Sequence, residues 1–563
     1  MNTRVKGSEA LLQMLVAYDV EFIFGLCGDT TLPFYDAIFR LDHSIQHILV
    51  RDERTAAYMA DGYARISGKP GVCEGPSGGG ATYILPGLIE ANNSSSAILA
   101  ITTDISIASY GKFPLTEVDQ EALMRPLTKW NTVIKSGDHI PRMVRKAFRM
   151  MTSGRPGSVH LGIPYDIQYE DVDRRDLWAD PNHKKFPAWR AGVQARDIEK
   201  IISSLSTAKK PLIVCGGGVV IAQAMDELRI FVEFFDLPLL TSISGQGSLA
   251  DTHPLCGGVV GSNGGTPETW QLMEEADLVI FLGCRAGSTT TSRWQAPNHS
   301  TRIIQIDSDP EVIGANYQTE VGVLADLKIA LAELNRLCSE EKIEHIQFGG
   351  HEKVKHLKLK KFARFNAIAD MNTQPIRPES VIKSLQNVCP QHTIIVSDPG
   401  TSCPYISSFF QFPKPGRYFI TNRAHGALGY SLGAAIGAWF ATNQKEIIAI
   451  MGDGSFGFSC GELETLKRYN IPITIIVLSN QSFGWIKASQ HDDYAQRYHN
   501  VDFNPTNHAA IASDYGLKSW QVERLNCLDE TFRQALSANE PTLVDVQCTP
   551  LELANAPVQK WMG

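Results

Sequence analysis

Short, almost uninterrupted apolar runs recur along this chain, with stretches of helical periodicity and glycine-rich turns between them. Runs without polar alternation read as strands buried on both faces, as in parallel sheets covered by helices. Between 1 and 185 the pattern predicts strands at 22–26, 47–50, 71–73, 97–102 and 158–163, with a helix over 54–66 and an apolar stretch at 83–89. Between 190 and 340 it predicts strands at 212–215, 239–241, 278–282 and 303–306. From 378 to 563 the predicted strands are 393–396, 446–451, 473–478 and 542–547. A charged, poorly periodic link covers 341–377. The expected fold class is α/β, with three doubly wound parallel-sheet domains at 1–185, 190–340 and 378–563.

The chemistry concentrates where two of these strands end. The run 447–451 stops at Gly452-Asp453-Gly454, and 25 residues then separate Gly454 from Asn480, which closes the run 473–478. A helical stretch at 461–469 lies between, so the unit is β-loop-α-β with a right-handed crossover. Such a unit brings both strand ends to one edge of the sheet, where open α/β sheets bind ligands. A carboxylate and an amide oxygen form a hard, oxygen-only set suited to Mg²⁺ or Ca²⁺ rather than zinc. With two side chains offered, the ion needs further oxygens, as when Mg²⁺ bridges to a diphosphate. Gly452 and Gly454 allow close backbone approach to phosphates.

Composition narrows the classes. The chain has 563 residues, 43% hydrophobic and 20% charged, with a formal net charge of −8. This is the profile of a globular protein with ample core, and an acidic balance argues against a nucleic-acid partner. The one basic stretch, 353–364, reads as a solvated helix face in the link. The 11 cysteines are scattered without a CxxC pair, as expected of reduced core thiols in a cytoplasmic protein. No run reaches membrane-spanning length, and the N-terminus lacks a signal-peptide core.

The Gly452-Asp453-Gly454 to Asn480 segment resembles the cofactor motif of thiamine-diphosphate enzymes, which usually ends in Asn-Asn where this chain has Ser479-Asn480. The resemblance implies thiamine diphosphate and Mg²⁺ as cofactors, with Asp453, Asn480 and the Ser482 carbonyl as metal ligands. It also implies that Glu53, in the matching stretch Asp52-Glu53-Arg54, hydrogen-bonds the cofactor pyrimidine and activates it. In that role Asp52 would raise the carboxyl's proton affinity and Arg54 would lower it. Ser77–Thr82, Asp398–Ser402 and Gly426–Tyr430 match further family turns in the family's order. They imply cofactor contacts from Gly28, Gly79, Thr82, Gly400, Thr401, Ser402, Gly426, Leu428, Ser455, Phe483 and Gly484, besides Gly452, Gly454 and Asn480. Leu428 would be the wedge that keeps the cofactor bent.

Within the family the likeness is to acetolactate synthases, which remove CO₂ from a 2-oxo acid and pass the acyl unit to an acceptor. The substrate pocket implied is Leu115, Thr116, Trp485, Ile486 and Ser489. It departs from the synthases at Thr116, where they carry Gln, and at Ser489, where they carry Trp. His425 and His491 flank matched motifs and are the candidate proton carriers. For the central domain the resemblance leaves two readings open, one binding FAD or ADP and one purely structural. It further implies a homodimer or homotetramer with active sites at the subunit interface. The function expected is a decarboxylase, carboligase or lyase acting on 2-oxo acids or 2-hydroxyketones. The alternatives are a flavin-linked 2-oxo acid oxidase and a non-catalytic cofactor-binding subunit, although retention of Glu53 argues against the latter.

Overall fold

Buried apolar strands need both faces covered, and the computed structural model meets that need three times over. It describes residues 3–340, 346–442, 446–554 and 556–559. The first sheet contains β1 (Phe22–Gly25), β2 (Gln46–Leu49), β3 (Gly71–Gly75), β4 (Ile98–Asp104), β5 (Trp130–Val133) and β6 (Val159–Pro164). The second contains β7 (Pro211–Cys215), β8 (Leu239–Thr241), β9 (Cys256–Val259), β10 (Leu278–Leu282), β11 (Arg302–Asp307) and β12 (Val321–Leu324). The third contains β13 (Ile394–Ser397), β14 (Phe419–Thr421), β15 (Ile447–Gly452), β16 (Thr474–Ser479), β17 (Lys518–Val522) and β18 (Thr542–Gln547). The orders are β2-β1-β3-β4-β6-β5, β9-β8-β7-β10-β11-β12 and β14-β13-β15-β16-β18-β17. Pairings within the three sheets are parallel, as at β3–β4, β7–β10 and β15–β16. A short antiparallel ribbon, Arg4–Lys6 with Asp171–Asp173, stands apart from them.

The central strands agree with the apolar pattern to within about two residues, as expected of such readings. The pattern omits β5, β9, β12, β14 and β17. Each of these lies at a sheet edge. Edge strands are short, three to five residues here, so they carry no long apolar run. β17, for example, buries only Val522 among its residues.

The chain forms two compact units. One comprises Met1–Trp189, Asn422–Ile447 and Ser459–Ile473, and the other Arg190–Thr421, Ile448–Phe458 and Thr474–Gly563. In the first unit, helix Glu53–Ser67 packs directly on helix Tyr430–Thr442. A Cβ on Gly62 would stand 2.1 Å from the Ala434 carbonyl oxygen, and one on Gly437 would stand 1.9 Å from that of Met59. Glycine on both helices is what lets the backbones approach this closely. In the second unit, the packed side chains of the third sheet include Ile448, Ile450, Ile476 and Val544.

The basic stretch 353–364 belongs to helix Gly350–Ala369 in the second unit. Its cationic face is not wholly solvated. Lys361 is buried, with its ammonium 5.4 Å from the Phe362 ring centroid, and Lys358 Nζ donates to the Asp251 and His253 carbonyls. Burial lowers the Lys361 ammonium pKa to about 8, against the opposing pull of Asp251. The first part of the linking segment, 341–345, lies outside the described residues. Among the described residues no helix is long and apolar enough to cross a membrane.

Candidate active site

In the second unit, β15 and β16 are neighbours with Gly452 opposite Leu478, so Asp453 and Asn480 emerge at adjacent strand tips. Both are buried. Asp453 Oδ2 accepts the backbone N–H of Asn480 at 3.0 Å and of Gln481 at 2.6 Å, and Oδ1 accepts that of Gly454 at 2.9 Å. Gln481 is left-handed, with φ 58°, a sparsely populated conformation that curls the loop around the carboxylate. Burial pushes the Asp453 carboxyl up from its ordinary value, while these backbone donors and His508 pull it down. Asn480 Oδ1 accepts the Ser482 N–H at 3.3 Å, and its Nδ2 is buried with no hydrogen-bond partner among the described residues. A buried amide N–H₂ left open costs free energy unless a ligand meets it.

Glycines shape the floor. No atom comes within 4 Å of where a Cβ would stand on Gly400, and on Gly452 the nearest is Thr401 Oγ1 at 3.8 Å. Such room suits a phosphate-sized group next to backbone N–H donors. Gly454 and Gly484 are glycine for packing. Their Cβ atoms would meet Phe483 at 2.9 Å and Asn480 Nδ2 at 2.8 Å. Ser455 is buried in the one-turn helix Asp453–Phe456. The Ser402 hydroxyl turns into the sheet, 2.8 Å from Ser397 Oγ, so only its backbone is available to a ligand. Trp485 packs on the core, Ile486 is exposed, and Ser489 Oγ bonds back to the Trp485 carbonyl. His491 Nδ1 lies 2.8 Å from Asp492 Oδ1.

Sequence reading missed a buried polar set behind this loop. Ser479 Oγ donates to Asp545 Oδ1 at 2.5 Å and lies 3.1 Å from His508 Nδ1, while the His508 N–H donates to Asp545 Oδ2. The only signal for it was Ser479 itself, where the motif usually has Asn.

The first unit holds the other candidates. Glu53 opens helix Glu53–Ser67 behind Asp52, whose carboxylate accepts the Arg54 N–H at the N-cap. This is a standard helix start. Glu53 is buried, and the hydrogen bond that influences it comes from its own backbone N–H. Burial pushes its carboxyl up from the ordinary value, Asp52 and Glu74 push the same way, and Arg54 pulls it down. Arg54 is forked onto Asp52 at 2.6 Å, which largely cancels the two charged neighbours expected to compete.

Gly79 leaves open space at its missing Cβ and Thr82 Oγ1 donates to the Gly79 carbonyl, whereas Gly28 is glycine because Pro76 stands 2.4 Å from its Cβ position. Thr116 has φ 69°, rare for a β-branched residue and costly by about 1–3 kcal/mol. It is held there by Ser77 Oγ at 2.7 Å, and Leu115 beside it is exposed. Gly426, with φ 77°, is open, His425 is exposed and Leu428 half-buried. Their loop is tied down by Glu90, which no motif or spacing singles out. Its Oε2 accepts the backbone N–H of His425 at 2.7 Å, and Oε1 takes Arg65 at 3.0 Å.

The second sheet runs 3-2-1-4-5-6 when its strands are numbered from β7, the order of dinucleotide-binding folds with its crevice between strands 1 and 4. Here the crevice glycines interlock. Gly218 N–H donates to the Gly283 carbonyl at 3.1 Å, and a Cβ on Gly216 would stand 2.0 Å from that oxygen. Packing accounts for these glycines without a nucleotide. Asp307 ends β11 with Oδ1 accepting the Asp309 N–H.

Comparison with known proteins supports the same partition. Residues 5–123 match the thiamine pyrophosphate enzyme N-terminal TPP binding domain, 198–334 the central domain and 398–546 the C-terminal TPP binding domain. The chain is 34% identical to a "Probable acetolactate synthase large subunit" of Methanococcus aeolicus, over 97% of this chain and 92% of the relative. It is 32% identical to the "Acetolactate synthase large subunit" of Lactococcus lactis, over 96% and 92%. The same identity holds with the "Acetolactate synthase" of Arthrospira platensis, over 97% and 94%. Three matched domains and near full-length similarity place the chain in the thiamine pyrophosphate enzyme family, on its acetolactate synthase-like branch.

Proposed function

We propose that this protein is a thiamine-diphosphate and Mg²⁺ dependent decarboxylase and carboligase acting on 2-oxo acids, with 2-hydroxyketone cleavage as the reverse sense of the same chemistry. The observation that carries this is the pairing of Asp453 with Asn480 at adjacent strand tips, above glycines that leave phosphate-sized room. When bound, the cofactor supplies the electron sink for making or breaking a bond next to a carbonyl. Asp453, Asn480 and the Ser482 carbonyl would hold the cation. Gly400, Thr401, Gly452, Gly454 and Ser455 would hold the diphosphate. Glu53, a buried carboxyl pushed toward the protonated form, would donate a hydrogen bond to a ring nitrogen. His425 and His491 would carry protons at the substrate, and Leu428 would pack under the bent cofactor.

The acceptor side is where this chain should differ from acetolactate synthases. Thr116 and Ser489 are small, and both hydroxyls are engaged within the protein. A pocket without a free amide or an indole at these points discriminates acceptors by shape and by Leu115, Trp485 and Ile486. We read the protein as cytoplasmic, with domains at 1–185, 190–340 and 378–563, and as a homodimer or homotetramer with active sites at the subunit interface. The interlocked central glycines favour a structural second domain over an FAD or ADP site. A visible flavin band in the purified protein would reverse that reading. The test of the function is product identification by mass after incubation with 2-oxo acids, thiamine diphosphate and Mg²⁺. CO₂ release with acyloin or acetohydroxy acid formation is expected, and neither product from any 2-oxo acid would refute it.

A further inference from the structure

Three neighbouring strands of the first sheet, β1, β3 and β4, bring a row of hydroxyls to the edge where open α/β sheets take up ligands. Thr30 follows β1, Ser77 follows β3, Thr103 is the penultimate residue of β4, and Thr116 lies on the loop beyond it. Thr30 Oγ1 lies 2.7 Å from Thr103 Oγ1 and 3.2 Å from Ser77 Oγ, and it accepts the Ser77 N–H at 3.1 Å. Ser77 Oγ lies 2.7 Å from Thr116 Oγ1. The Thr116 hydroxyl donates to the Leu115 carbonyl at 2.6 Å.

A hydroxyl has a single proton, and this sets the direction of the row. The Thr116 proton lies on the Leu115 carbonyl, so Ser77 donates to Thr116. Ser77 then has no proton left for Thr30, so Thr30 donates to Ser77 and Thr103 to Thr30. Ser77 and Thr103 are buried, and Thr30 Oγ1 already accepts from both Thr103 and the Ser77 N–H. Thr116 is exposed. Its remaining lone pair is therefore what the row presents outward: an acceptor, with no donor beside it. The side chain is also seated. Gly78 has φ 65°, and a Cβ there would stand 2.7 Å from Thr116 Cβ.

We propose that Thr116, held by Ser77, determines which co-substrate is accepted. It selects a molecule that places a hydroxyl, a hydrogen-bond donor, at this wall over one that places an alkyl group or a carboxylate there. This rests on the carboligase reading above and names its acceptor as a hydroxyaldehyde or hydroxyketone rather than a second 2-oxo acid. In that ligation the 2-oxo acid loses CO₂, its carbonyl carbon bonds to the carbonyl carbon of the acceptor, and the acceptor oxygen takes up the one proton consumed.

The test supplies the holoenzyme with pyruvate and, as acceptors of equal size, glycolaldehyde or propanal, with products identified by mass. In the wild type kcat/KM for glycolaldehyde should exceed that for propanal by about tenfold, the worth of one hydrogen bond. Thr116→Val, which keeps the branched shape and removes the hydroxyl, should level the two. Thr116→Asn suits the left-handed backbone and adds an N–H donor. It should raise kcat/KM for glyoxylate, a carboxylate-bearing acceptor, relative to propanal, and it carries the test if Thr116→Val does not fold. Saturation-transfer NMR of hydroxyacetone against butanone, on the holoenzyme without pyruvate, makes the comparison without turnover. Equal use of glycolaldehyde and propanal by the wild type overturns the proposal, as does a preference that survives Thr116→Val or a glyoxylate ratio unmoved by Thr116→Asn. Absence of ligation with any acceptor, while hydroxyacetone binds better than butanone only when Thr116 is present, would support the role of Thr116 and defeat the carboligase reading alone. Absence of both ligation and that binding preference overturns the two together.

Discussion

The first and third sheets share one strand order and put different chemistry on it. Numbered within each sheet, both run 2-1-3-4-6-5. The segment after the second strand brings Glu53 in one and His425, Gly426 and Leu428 in the other. After the third strand come Ser77–Thr82 in one and Gly452–Ser455 in the other. After the first strand come Gly28 and Gly400-Thr401. The helices that follow the two second strands are Glu53–Ser67 and Tyr430–Thr442, which pack on each other through glycine. The fourth strands diverge. β16 leads to Asn480, whereas β4 ends at Asp104, which is capped by the Tyr110 hydroxyl at 2.7 Å. A shared topology thus supplies equivalent positions, and the different side chains at the strand tips underlie the different roles proposed for the two sheets.

That division of labour can be broken one half at a time. Glu53→Gln should lower turnover by about 10²–10⁴-fold, the usual range for losing a general acid–base group, with cofactor affinity retained; steady-state rates alongside a binding titration separate the two. Near-normal turnover would remove the first sheet from the chemistry. Asp453→Ala should instead weaken Mg²⁺-dependent cofactor retention by about 100-fold, since the Asp453–Asn480 pair would lose its carboxylate. Gel filtration at limiting Mg²⁺ followed by cofactor assay reads this, and unchanged retention would remove the third sheet's cation.

Smaller effects test the packing within the first unit. Gly437→Ala should cost about 1–3 kcal/mol through overpacking against the Met59 carbonyl, read as a lower denaturation midpoint. Glu462, next to the Arg51 N–H at 2.9 Å, gives a pH test. Burial raises its carboxyl from 4.5 to about 7. Because the folded value lies above the unfolded one, its stabilising contribution is complete below pH 4.5 and is lost as pH rises through about 7. Glu462→Gln should therefore be more stable than the wild type at pH 8, by up to about 3 kcal/mol, and lose that advantage at pH 4. Equal denaturation curves at both pH values would contradict this.

The comparison also shows what could be read from the chain and what could not. No residue-level repeat links the first and third segments, because the shared order of their sheets is carried by buried strands that accept almost any apolar side chain. The motif residues were legible since glycine, a carboxylate and an amide at fixed spacing have few other reasons to coincide. Glu74 and Glu90 were not. A lone acid in or beside an apolar run resembles any other until its partners, Tyr35 and His47 or Arg65 and the His425 N–H, are folded against it. The direction of the Ser402 hydroxyl was not legible for the converse reason: a hydroxyl in a matched turn can point either way, and here the sheet takes it.

The linear order of apolar runs and turn residues was enough to determine the α/β class, the central strands of each sheet and the adjacency of Asp453 with Asn480, since a right-handed crossover leaves little choice about which strand ends meet. Tertiary structure alone decided five of the six edge strands, the burial of Lys361 and the partners of Glu53 and Glu74. Those depend on contacts between residues far apart in the chain, whose free energies exist only once the intervening backbone has been ordered.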